Sequence, residues 1–472
     1  MNKINKVELY NTLTRRKEEF RSLEPGVVKM YTCGITVYSH PQIGNWVAYI
    51  YSDVLTRTLI TAGYKVERVQ NVTDVGHLVS DDDAGEDKME KGARAEGLTA
   101  WDVAEKYIKI ADDEAFNKLK LLRPNKIVRA TSLIDEQIEF VKGLEEKGYT
   151  YVIDDGVYFD TSKLDDYGKL AKLDIAGLDA GARVDVGGKK SKTDFALWKF
   201  SPKDQKRDME WDSPWGKGFP GWHLECSVIA RENLGDQIDL HTGGIDHIPV
   251  HHTNEIAQTE SLTGKKPFSG FWFHNNFMKV DGTKLSKSLN NSYTLEDIEK
   301  RGFSLDAFKL LVLSSHYRTE GNFTWEILEA AQNRLKNWQA IIDSSWQDSY
   351  ESNESEMDHT SGGEFREELL KILSEDLDTP KALAFIDKTL DDFTKTHFCD
   401  ICLHSVAMVI GDMLGVRLNI EDISAEQKEL LEERQKARDG KDFAESDRIR
   451  DELREQGIEV RDDKNGQIWS RV

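Results

Sequence analysis

The N-terminal part of the chain carries a strand, a helix and a second strand, and this order constrains the fold more than any other feature of the sequence. Residues 27–34 form a short apolar run that ends at Gly34, and residues 43–62 carry apolar residues at helical spacing. Residues 64–72 then alternate as a strand does. Two strands joined by a helix pair in parallel through a right-handed crossover. The chain therefore begins an α/β domain built on a parallel sheet.

The pattern changes twice along the rest of the chain. Helical patterns from residue 100 and a hairpin at 151–159 interrupt the α/β pattern, which resumes near Gly221. From Leu305 onward amphipathic helices dominate, and residues 344–363 have the composition of a flexible connector. A chain of 472 residues has room for several domains. We predict a first half of the core at 1–96, an insertion at 97–210, a second half at 211–300, a helical bundle at 301–420 and a small charged region at 421–472.

Composition limits the compartment and the partners. The 63 basic and 85 acidic residues give a net charge of -22, which argues against a general nucleic-acid coat, because such proteins bind by neutralising phosphates. Four cysteines are too few to cross-link a chain of this length, and residues 1–19 lack the apolar core of a signal peptide. We therefore expect a cytoplasmic protein. No stretch approaches the roughly 18–20 apolar residues that span a bilayer, so we expect no membrane contact.

Two short motifs suit a polyphosphate. Residues 284–288, Lys-Leu-Ser-Lys-Ser, bring two ammonium groups and two hydroxyls into one predicted loop. A lysine-rich surface turn would have the same composition. Residues 42–45, Gln-Ile-Gly-Asn, open the first predicted helix, whose N-terminal amides can hold an anion. At opposite ends of an α/β core, the two motifs together predict a nucleotide phosphate site.

Two thiols, an imidazole and a carboxylate could form a zinc site. Cys33 ends the first strand and Cys226 opens a predicted helix, while His251 and Glu255 are four residues apart and share one helix face. By the same spacing, the His252 side chain is expected to point away from the face that His251 and Glu255 share. A free cysteine is more often a small core residue. From these residues alone, a metal site and a plain core both stay open.

The motifs lie in an order that resembles the cysteinyl-tRNA synthetase family among class I aminoacyl-tRNA synthetases. The resemblance covers essentially the whole chain. It is carried by residues 284–288, called the lysine loop below, and by residues 31–38 (YTCGITVY), 71–74 (NVTD), 221–227 (GWHLECS), 241–246 (HTGGID) and 251–258 (HHTNEIAQ). The fold that this resemblance implies is an α/β Rossmann-type catalytic core with an inserted connective domain. A mainly α-helical tRNA-binding region would follow it, with stem-contact and anticodon-binding parts.

The same resemblance implies a cysteine–tRNA ligase activity. Cysteine and ATP would form cysteinyl adenylate, and tRNA(Cys) would then take the cysteine at its 3′ end. Cys33, Cys226, His251 and Glu255 match the family's zinc ligands, which implies one Zn²⁺ per chain that selects the substrate thiolate over an alcohol. The implied partners are L-cysteine, ATP with Mg²⁺ and tRNA(Cys), and we expect a monomer.

The resemblance also places residues around the substrates. Lys287 is the implied main ATP-binding lysine and Lys284 the second catalytic one. Gly44 and Asp246 are two further predicted contacts to the nucleotide. Asp246 is chosen because it lies close to the motifs, and an ordinary hydrogen-bonding role at a helix or strand end stays open for it. The predicted contacts to the amino acid and its surroundings are Thr73, Trp222 and Trp272. Aromatic residues are more often plain core, so a purely packing role for the two tryptophans stays open.

The chain departs from the family where a histidine normally opens the HIGH motif. Gln42 stands at that position, and Asn45 stands at the fourth, which is a common variant. Gln42 offers an amide donor, whereas His40, two residues earlier, offers an imidazole. We predict that Gln42 and Asn45 serve catalysis, and we keep His40 as the alternative to Gln42.

Two other functions share these motifs. A cysteine ligase of the mycothiol pathway would lack the full anticodon-binding region, so residues 364–472 favour the tRNA substrate. A catalytically inactive RNA-binding paralogue is the second alternative, because Gln42 replaces the motif histidine. Cys399 and Cys402 lie in a helical pattern and are expected to pack rather than bind metal, and the acidic run at 81–87 is expected to be a solvated loop.

Overall fold

The computed structural model describes eight stretches of the chain: residues 4–75, 88–173, 188–202, 207–283, 291–347, 362–395, 400–463 and 466–471. The chain divides into two units. The first comprises Met1–Lys279, Lys284–Leu295 and Tyr317–Gly321, and the second comprises Val280–Thr283, Glu296–His316 and Asn322–Val472. Within the described stretches, no helix combines the length and the apolar composition that crossing a bilayer requires.

The described elements alternate early in the chain and become mainly helical later. The helices are α1 (Ile43–Thr61), α2 (Lys88–Glu96), α3 (Ala100–Asp112), α4 (Ile134–Glu146), α5 (Trp222–Leu234), α6 (His251–Thr263), α7 (Leu295–Lys300), α8 (Leu305–Leu313), α9 (Trp325–Asp343), α10 (Gly362–Leu373), α11 (Thr379–Lys395), α12 (Asp400–Leu414), α13 (Ala425–Asp439) and α14 (Phe443–Glu455). The strands are β1 (Glu8–Asn11), β2 (Arg16–Glu19), β3 (Val27–Thr32), β4 (Lys65–Val72), β5 (Lys126–Arg129), β6 (Thr150–Ile153), β7 (Gly156–Phe159), β8 (Phe195–Phe200), β9 (Gly218–Pro220), β10 (Ile238–Gly244), β11 (Ser269–Asn275), β12 (Met278–Val280), β13 (Gly321–Phe323), β14 (Ile458–Asp463) and β15 (Gly466–Arg471).

A five-stranded parallel sheet forms the centre of the first unit. Its strand order is β11-β10-β3-β4-β5, and every neighbouring pair is parallel. The predicted strand–helix–strand unit is confirmed as β3, α1 and β4. β10 and β11 come from the second stretch of α/β pattern and extend the same sheet on the other side of β3. The sequence order of the strands therefore reverses between β3 and β10.

Helix α1 is buried on nearly all sides, which fixes its first turn at the edge of this sheet. Thirteen of its nineteen residues are buried, as expected for a helix that packs within a large core. The buried Arg57 guanidinium donates to the Asp53 carboxylate one turn earlier, with 2.6 Å between nitrogen and oxygen. The second Asp53 oxygen accepts the backbone N–H of Leu122 at 2.7 Å. These bonds satisfy the charges that the helix buries.

The segment predicted as an insertion shares an apolar core with the α/β part of the first unit. The predicted hairpin at 151–159 is confirmed as β6 and β7, and it belongs to a four-stranded antiparallel sheet in the order β6-β7-β8-β9. Phe159 and Trp198 from this sheet pack with Val141 of α4 and with Leu224 of α5 in one apolar cluster. This packing steadies α5 from the insertion side. The five-part domain division itself stays a prediction.

The second unit is mainly helical, as the pattern after residue 305 predicts, and it ends in a hairpin. Strands β14 and β15 pair antiparallel and pack Trp469 against Ile449 and Leu453 of α14. Arg434 of α13 is 1% exposed and donates two hydrogen bonds of 2.9 Å to the carboxylate of Asp462 in β14. The Arg434 side chain therefore ties the hairpin to α13 and is not exposed to bind RNA.

Replacing Arg434 by alanine should destabilise this C-terminal hairpin. The substitution leaves Asp462 without its bidentate partner, and Asp462 is about one-third exposed, so we expect a loss of about 2–3 kcal/mol in the free energy of unfolding of this region. Lys436→Ala on the same helix is the control, because Lys436 is largely exposed and should change stability by less than about 0.5 kcal/mol. Hydrogen exchange of the β14 and β15 amides checks the effect. Equal protection in both variants would contradict it.

Candidate active site and metal centre

A cleft of about 800 Å³ opens at the carboxyl ends of β3 and β10. In parallel α/β sheets, ligands bind outside the carboxyl ends of the strands where the strand order reverses, and β3 and β10 are the neighbouring strands at that point. The cleft brings together predicted residues from distant parts of the sequence. They are Cys33, His40, Gln42, Gly44, Asn45, Thr73, Trp222, Cys226, Asp246 and His251.

The chain enters this cleft through a close backbone approach at Gly34. Its N–H donates to the Asn71 side-chain oxygen at 2.6 Å. A Cβ atom at residue 34 would lie 1.6 Å from the Asn71 carbonyl oxygen, so only glycine fits here. This packing holds the residue before it, Cys33, at the end of β3 and facing the site.

The four predicted metal ligands come together at the base of the cleft. One ligand atom from each of Cys33, Cys226, His251 and Glu255 lies within 4.8 Å of the others. Ligand bonds of about 2.0–2.3 Å in tetrahedral geometry suit such a cluster. Glu255 is fully buried, and its Oε1 atom accepts no hydrogen bond from the described residues. A buried carboxylate oxygen without a donor is costly, and a cation would satisfy it. The residues therefore fit a metal ion.

A second group of possible ligands overlaps the first. Cys33 and Glu255 also lie within 4.8 Å of His241 and His252. The expectation that His252 points elsewhere is wrong, because its Nε2 lies 3.2 Å from the Cys33 sulfur. Residues three and four apart both neighbour each other on a helix, so His251 and His252 reach Cys33 and Glu255 from two sides. The sequence analysis assigned no role to His241. For His252, the pair of adjacent histidines at 251 and 252 was the sequence signal of a second possible ligand.

Burial controls the protonation of this centre. The loss of hydration, together with the neighbouring Cys226 thiol, raises the pKa of the Cys33 thiol well above its ordinary value. Burial lowers the pKa of His252 and His274 well below their usual range and that of His223 to about 3. Neutral imidazoles are the form that binds metal, and a bound cation would favour the thiolate form of cysteine.

Three side chains contact the His251 ring: His223, Glu255 and Trp222. The Nδ1 atoms of His223 and His251 lie 3.0 Å apart, while the Nε2 atom of His251 lies 3.2 Å from Glu255. Trp222 stacks on the His251 ring with 4.4 Å between centroids and also lines the cleft. Sequence reasoning missed His223, which contacts His251 from the neighbouring helix. These contacts turn the His251 Nε2 atom towards the cluster.

Trp272 lies elsewhere than predicted. It is 1% exposed, and it stacks on His241 with 4.6 Å between centroids. It is not among the described residues that line the cleft. Parallel pairing of β10 with β11 places His241 directly opposite Trp272 in register. The predicted role of Trp272 as a wall of the pocket is therefore wrong. Its indole instead packs against the buried imidazoles of His241 and His274.

The first turn of α1 borders the cleft. The Asn45 Oδ1 atom accepts the N–H of Gln42 at 2.8 Å, and the Asn45 N–H donates to the Gln42 carbonyl at 2.9 Å. The Ile43 N–H donates to the Tyr293 carbonyl. The N–H of Gly44 has no backbone partner among the described residues outside the helix itself. Gln42 is the N-cap residue of α1, the Asn45 side chain bonds back to it, and Gly44 is a candidate contact for an anion.

Some predicted residues fall outside the described stretches. Lys284 and Lys287 of the lysine loop lie there, as do the acidic run at 81–87 and Cys399. The side chain of Cys402 is likewise outside the description. The predictions for these residues stay predictions.

Comparisons with known proteins agree with this architecture. Residues 19–333 match the family model of the class I (C) tRNA synthetase catalytic domain, and residues 421–469 match that of the cysteinyl-tRNA ligase anticodon-binding domain. Cysteine–tRNA ligase 1 of Burkholderia lata is 44% identical over 465 residues, which cover 97% of this chain and 96% of that protein. Cysteine–tRNA ligase of Treponema denticola is 37% identical over 499 residues, covering 99% and 100%.

Solved structures show the same fold at low sequence identity. Mycobacterium tuberculosis methionyl-tRNA synthetase in complex with methionyl-adenylate aligns with a TM-score of 0.59 and 14% identity, over 82% of this chain and 92% of that one. The predicted fold class, a parallel α/β core followed by a mainly helical region, is confirmed. With the family models matched and the relatives aligned over nearly their full length, the chain belongs to the cysteinyl-tRNA synthetase family of class I aminoacyl-tRNA synthetases.

Proposed function

We propose that this protein activates cysteine with ATP to cysteinyl adenylate and transfers the cysteine to tRNA(Cys). The observation that carries the proposal is the cluster of two thiols, an imidazole and a carboxylate at the base of a nucleotide-sized cleft. A metal centre with thiolate ligands suits the thiol of cysteine. A helix N-terminus beside it suits the phosphate of the AMP group that the cysteine carboxylate receives.

The two reaction steps are displacements that the cleft residues position. The cysteine carboxylate attacks the α-phosphate of ATP, and pyrophosphate leaves with Mg²⁺. A terminal adenosine hydroxyl of tRNA(Cys) then attacks the mixed anhydride, and AMP leaves. The Gly44 amide and the Gln42 side chain border the cleft, and the lysine loop with Lys284 and Lys287 would bind the phosphates. Catalysis would come from positioning and from stabilising charge, without a covalent enzyme intermediate.

The zinc ligands in this proposal are Cys33, Cys226, His251 and Glu255. When bound, Zn²⁺ would supply selectivity, because it favours a thiolate over the alcohol of serine. Trp222 would pack beside the amino acid while it holds the His251 ring.

Hydrogen bonding favours this ligand set over the one with His252. A metal-bound Cys33 is a thiolate and only accepts hydrogen bonds, so the His252 Nε2 atom donates to it. The His252 Nδ1 atom then accepts from His274 Nε2 at 2.7 Å, and His274 Nδ1 accepts from the Thr12 hydroxyl at 2.8 Å. This series of hydrogen bonds satisfies both ring nitrogens of His252 and of His274 without placing His252 on the metal.

The C-terminal match favours tRNA over an amino sugar as the acceptor of cysteine. Residues 421–469 match an anticodon-binding domain, and such a domain has no use in a sugar ligase. Incubation with cysteine, ATP and total tRNA separates the candidates: charged tRNA supports the proposal, a conjugate formed only with an added amino sugar supports the mycothiol-type ligase, and neither product supports an inactive paralogue. We further propose that the protein is a cytoplasmic monomer.

The zinc assignment predicts one Zn²⁺ per chain in the purified protein. Cys226→Ser should lose the metal and reduce cysteine-dependent pyrophosphate exchange to background, because a serine hydroxyl does not ionise at neutral pH. The melting temperature should fall less than activity does. Atomic absorption on the same samples gives the zinc content.

The matched control for zinc is His252→Ala, which removes a hydrogen bond to Cys33 and should keep the metal. If Cys226→Ser instead retains zinc while His252→Ala loses it, the ligands are His241 and His252 in place of Cys226 and His251.

Deleting residues 423–472 should separate the two reactions. Every described cleft residue precedes this segment, so cysteine-dependent pyrophosphate exchange should stay within about threefold of the full chain. Aminoacylation of tRNA(Cys) should fall by at least about tenfold, because the proposed anticodon contacts are lost. Parallel losses in both assays would show that the segment supports the core instead of binding RNA.

Gln42 is proposed to replace the family's motif histidine. Gln42→Ala removes one donor to the reacting phosphate, which costs about 2.7–4 kcal/mol and should lower kcat of adenylate formation about 100- to 1000-fold. His40→Ala should lower kcat less. A larger kcat loss in His40→Ala would move the role to the imidazole, and full activity in both would remove it from this position. Circular dichroism checks that both variants fold.

A further inference from the structure

A buried carboxyl lies directly behind the nucleotide end of the cleft. Glu114 belongs to a π-helical segment, Asp113–Lys118, that continues α3, and its side chain is 4% exposed. Its Oε2 atom accepts a hydrogen bond from the Trp46 indole at 3.0 Å. Its Oε1 atom lies 3.6 Å from the Nε2 atom of His40. One carboxyl group thus joins the first turn of α1 to the segment that precedes it.

The His40 imidazole is oriented through both of its ring nitrogens. Its Nδ1 atom lies 3.1 Å from the carbonyl oxygen of Pro41. A carbonyl only accepts hydrogen bonds, so Nδ1 carries the proton in the neutral ring and Nε2 faces Glu114 with a lone pair. At 3.6 Å the two side chains are in ion-pair range without a direct hydrogen bond, so the proton of the Glu114 carboxyl acts on His40 through charge. The ring itself lines the cleft, two residues before the Gln42 cap of α1.

We propose that Glu114 is a positioning residue of the nucleotide site: its carboxyl, fixed by the Trp46 indole, lies against the His40 imidazole at the edge of the cleft, where His40 acts beside Gln42 on the phosphates of ATP. This inference rests on the proposed function for the identity of the nucleotide. The pair of side chains is neutral while Glu114 is protonated. After the proton leaves, it carries one negative charge that faces a polyanion.

The surroundings of Glu114 set where this change occurs. Burial raises the pKa of the Glu114 carboxyl to about 7, while His40, the Trp46 indole and Lys118 oppose the rise and Asp113 adds to it. The charged groups that share the cleft with His40 are Lys88, Asp246, and Lys279 with Glu320, which form an ion pair of 2.7 Å. ATP binding should therefore weaken as the pH rises through about 7, by roughly three- to tenfold for one added charge near the phosphates.

The test measures the Kd for ATP by calorimetry at pH 6.5 and pH 8.5. The E114Q side chain has nearly the same shape and keeps the hydrogen bond from Trp46 to its amide oxygen, but it does not titrate. We expect E114Q to bind ATP as the native protein does at pH 6.5 and more tightly than the native protein at pH 8.5. ATP's own titration is common to both proteins and cancels in the comparison. Identical pH dependence in the two proteins would overturn the proposal.

A double-mutant cycle shows whether Glu114 acts through His40. E114L should raise the Kd for ATP at pH 6.5 at least fivefold and leave the Kd for cysteine within twofold. In an H40A background, E114L should add nothing, whereas an additive loss would overturn the proposal. Trp46→Phe removes the other contact of Glu114. It should lower the melting temperature and move the weakening of ATP binding to higher pH, because the indole N–H no longer stabilises the carboxylate. A Kd rise equal to that of E114L would assign the effect to Trp46 packing instead.

Two measurements keep this proposal separate from the proposed function. If E114L does not fold, the E114Q comparison decides alone, because the substitution is isosteric. A native protein that binds ATP with the expected pH dependence but shows no cysteine-dependent pyrophosphate exchange would sink the proposed function and support the role of Glu114. Normal pyrophosphate exchange in the native protein, together with the same pH dependence of ATP binding in E114Q as in the native protein, would support the proposed function and overturn the role of Glu114. A native protein that does not bind ATP would overturn both.

Discussion

The parallel pairing of β3 with β10 is the constraint on which the rest of the site depends. Tyr31 lies opposite His241 in this pairing, although 210 positions separate them in the chain. The pairing brings the end of the first strand beside the second stretch of α/β pattern and so places Cys33 next to α5 and α6. It also creates the reversal of strand order at which the cleft opens. The candidate metal ligands and the proposed nucleotide-binding residues thus share one edge of the sheet, because the β3–β10 pairing joins the two halves.

A buried layer of imidazoles follows from this arrangement. His241, His252 and His274 lie below the cleft, with Trp272 stacked parallel to two of them. Such a layer is stable only when its nitrogens are satisfied, because a buried polar atom without a partner costs about 1–3 kcal/mol. The hydrogen bonds that run from Thr12 to Cys33 meet this demand for His274 and His252 with neutral rings, whereas the Nδ1 atom of His241 has no hydrogen-bond partner among the described residues. The same bonds fix the direction from which the Cys33 sulfur is approached, which leaves its remaining lone pairs for a metal.

Sequence reasoning predicted the backbone of this site better than its side-chain layers. The strand–helix–strand unit was predictable because apolar periodicity reports local structure, and Cys226, His251 and Glu255 were predictable from ligand chemistry together with the family's order of motifs. The orientation of His252 and the burial of Trp272 were not, since both depend on which strand lies opposite in the folded sheet. Arg434 shows the same limit: its charge is visible in the sequence, but its pairing with Asp462 exists only once the terminal hairpin folds back.

The departure at Gln42 has a physical explanation in the first turn of α1. The Asn45 side chain accepts the N–H of Gln42, and the Ile43 N–H donates to the Tyr293 carbonyl, while Gly44 lines the cleft without a recorded backbone partner for its N–H. A single amide at a helix N-terminus attracts an anion but does not fix its orientation. Two flanking side chains can, and Gln42 and His40 stand on either side of Pro41. A neutral amide loses nothing when the pH rises, whereas an imidazole held by a carboxyl does. If Gln42 and His40 divide the task as proposed, part of the phosphate contact is independent of protonation.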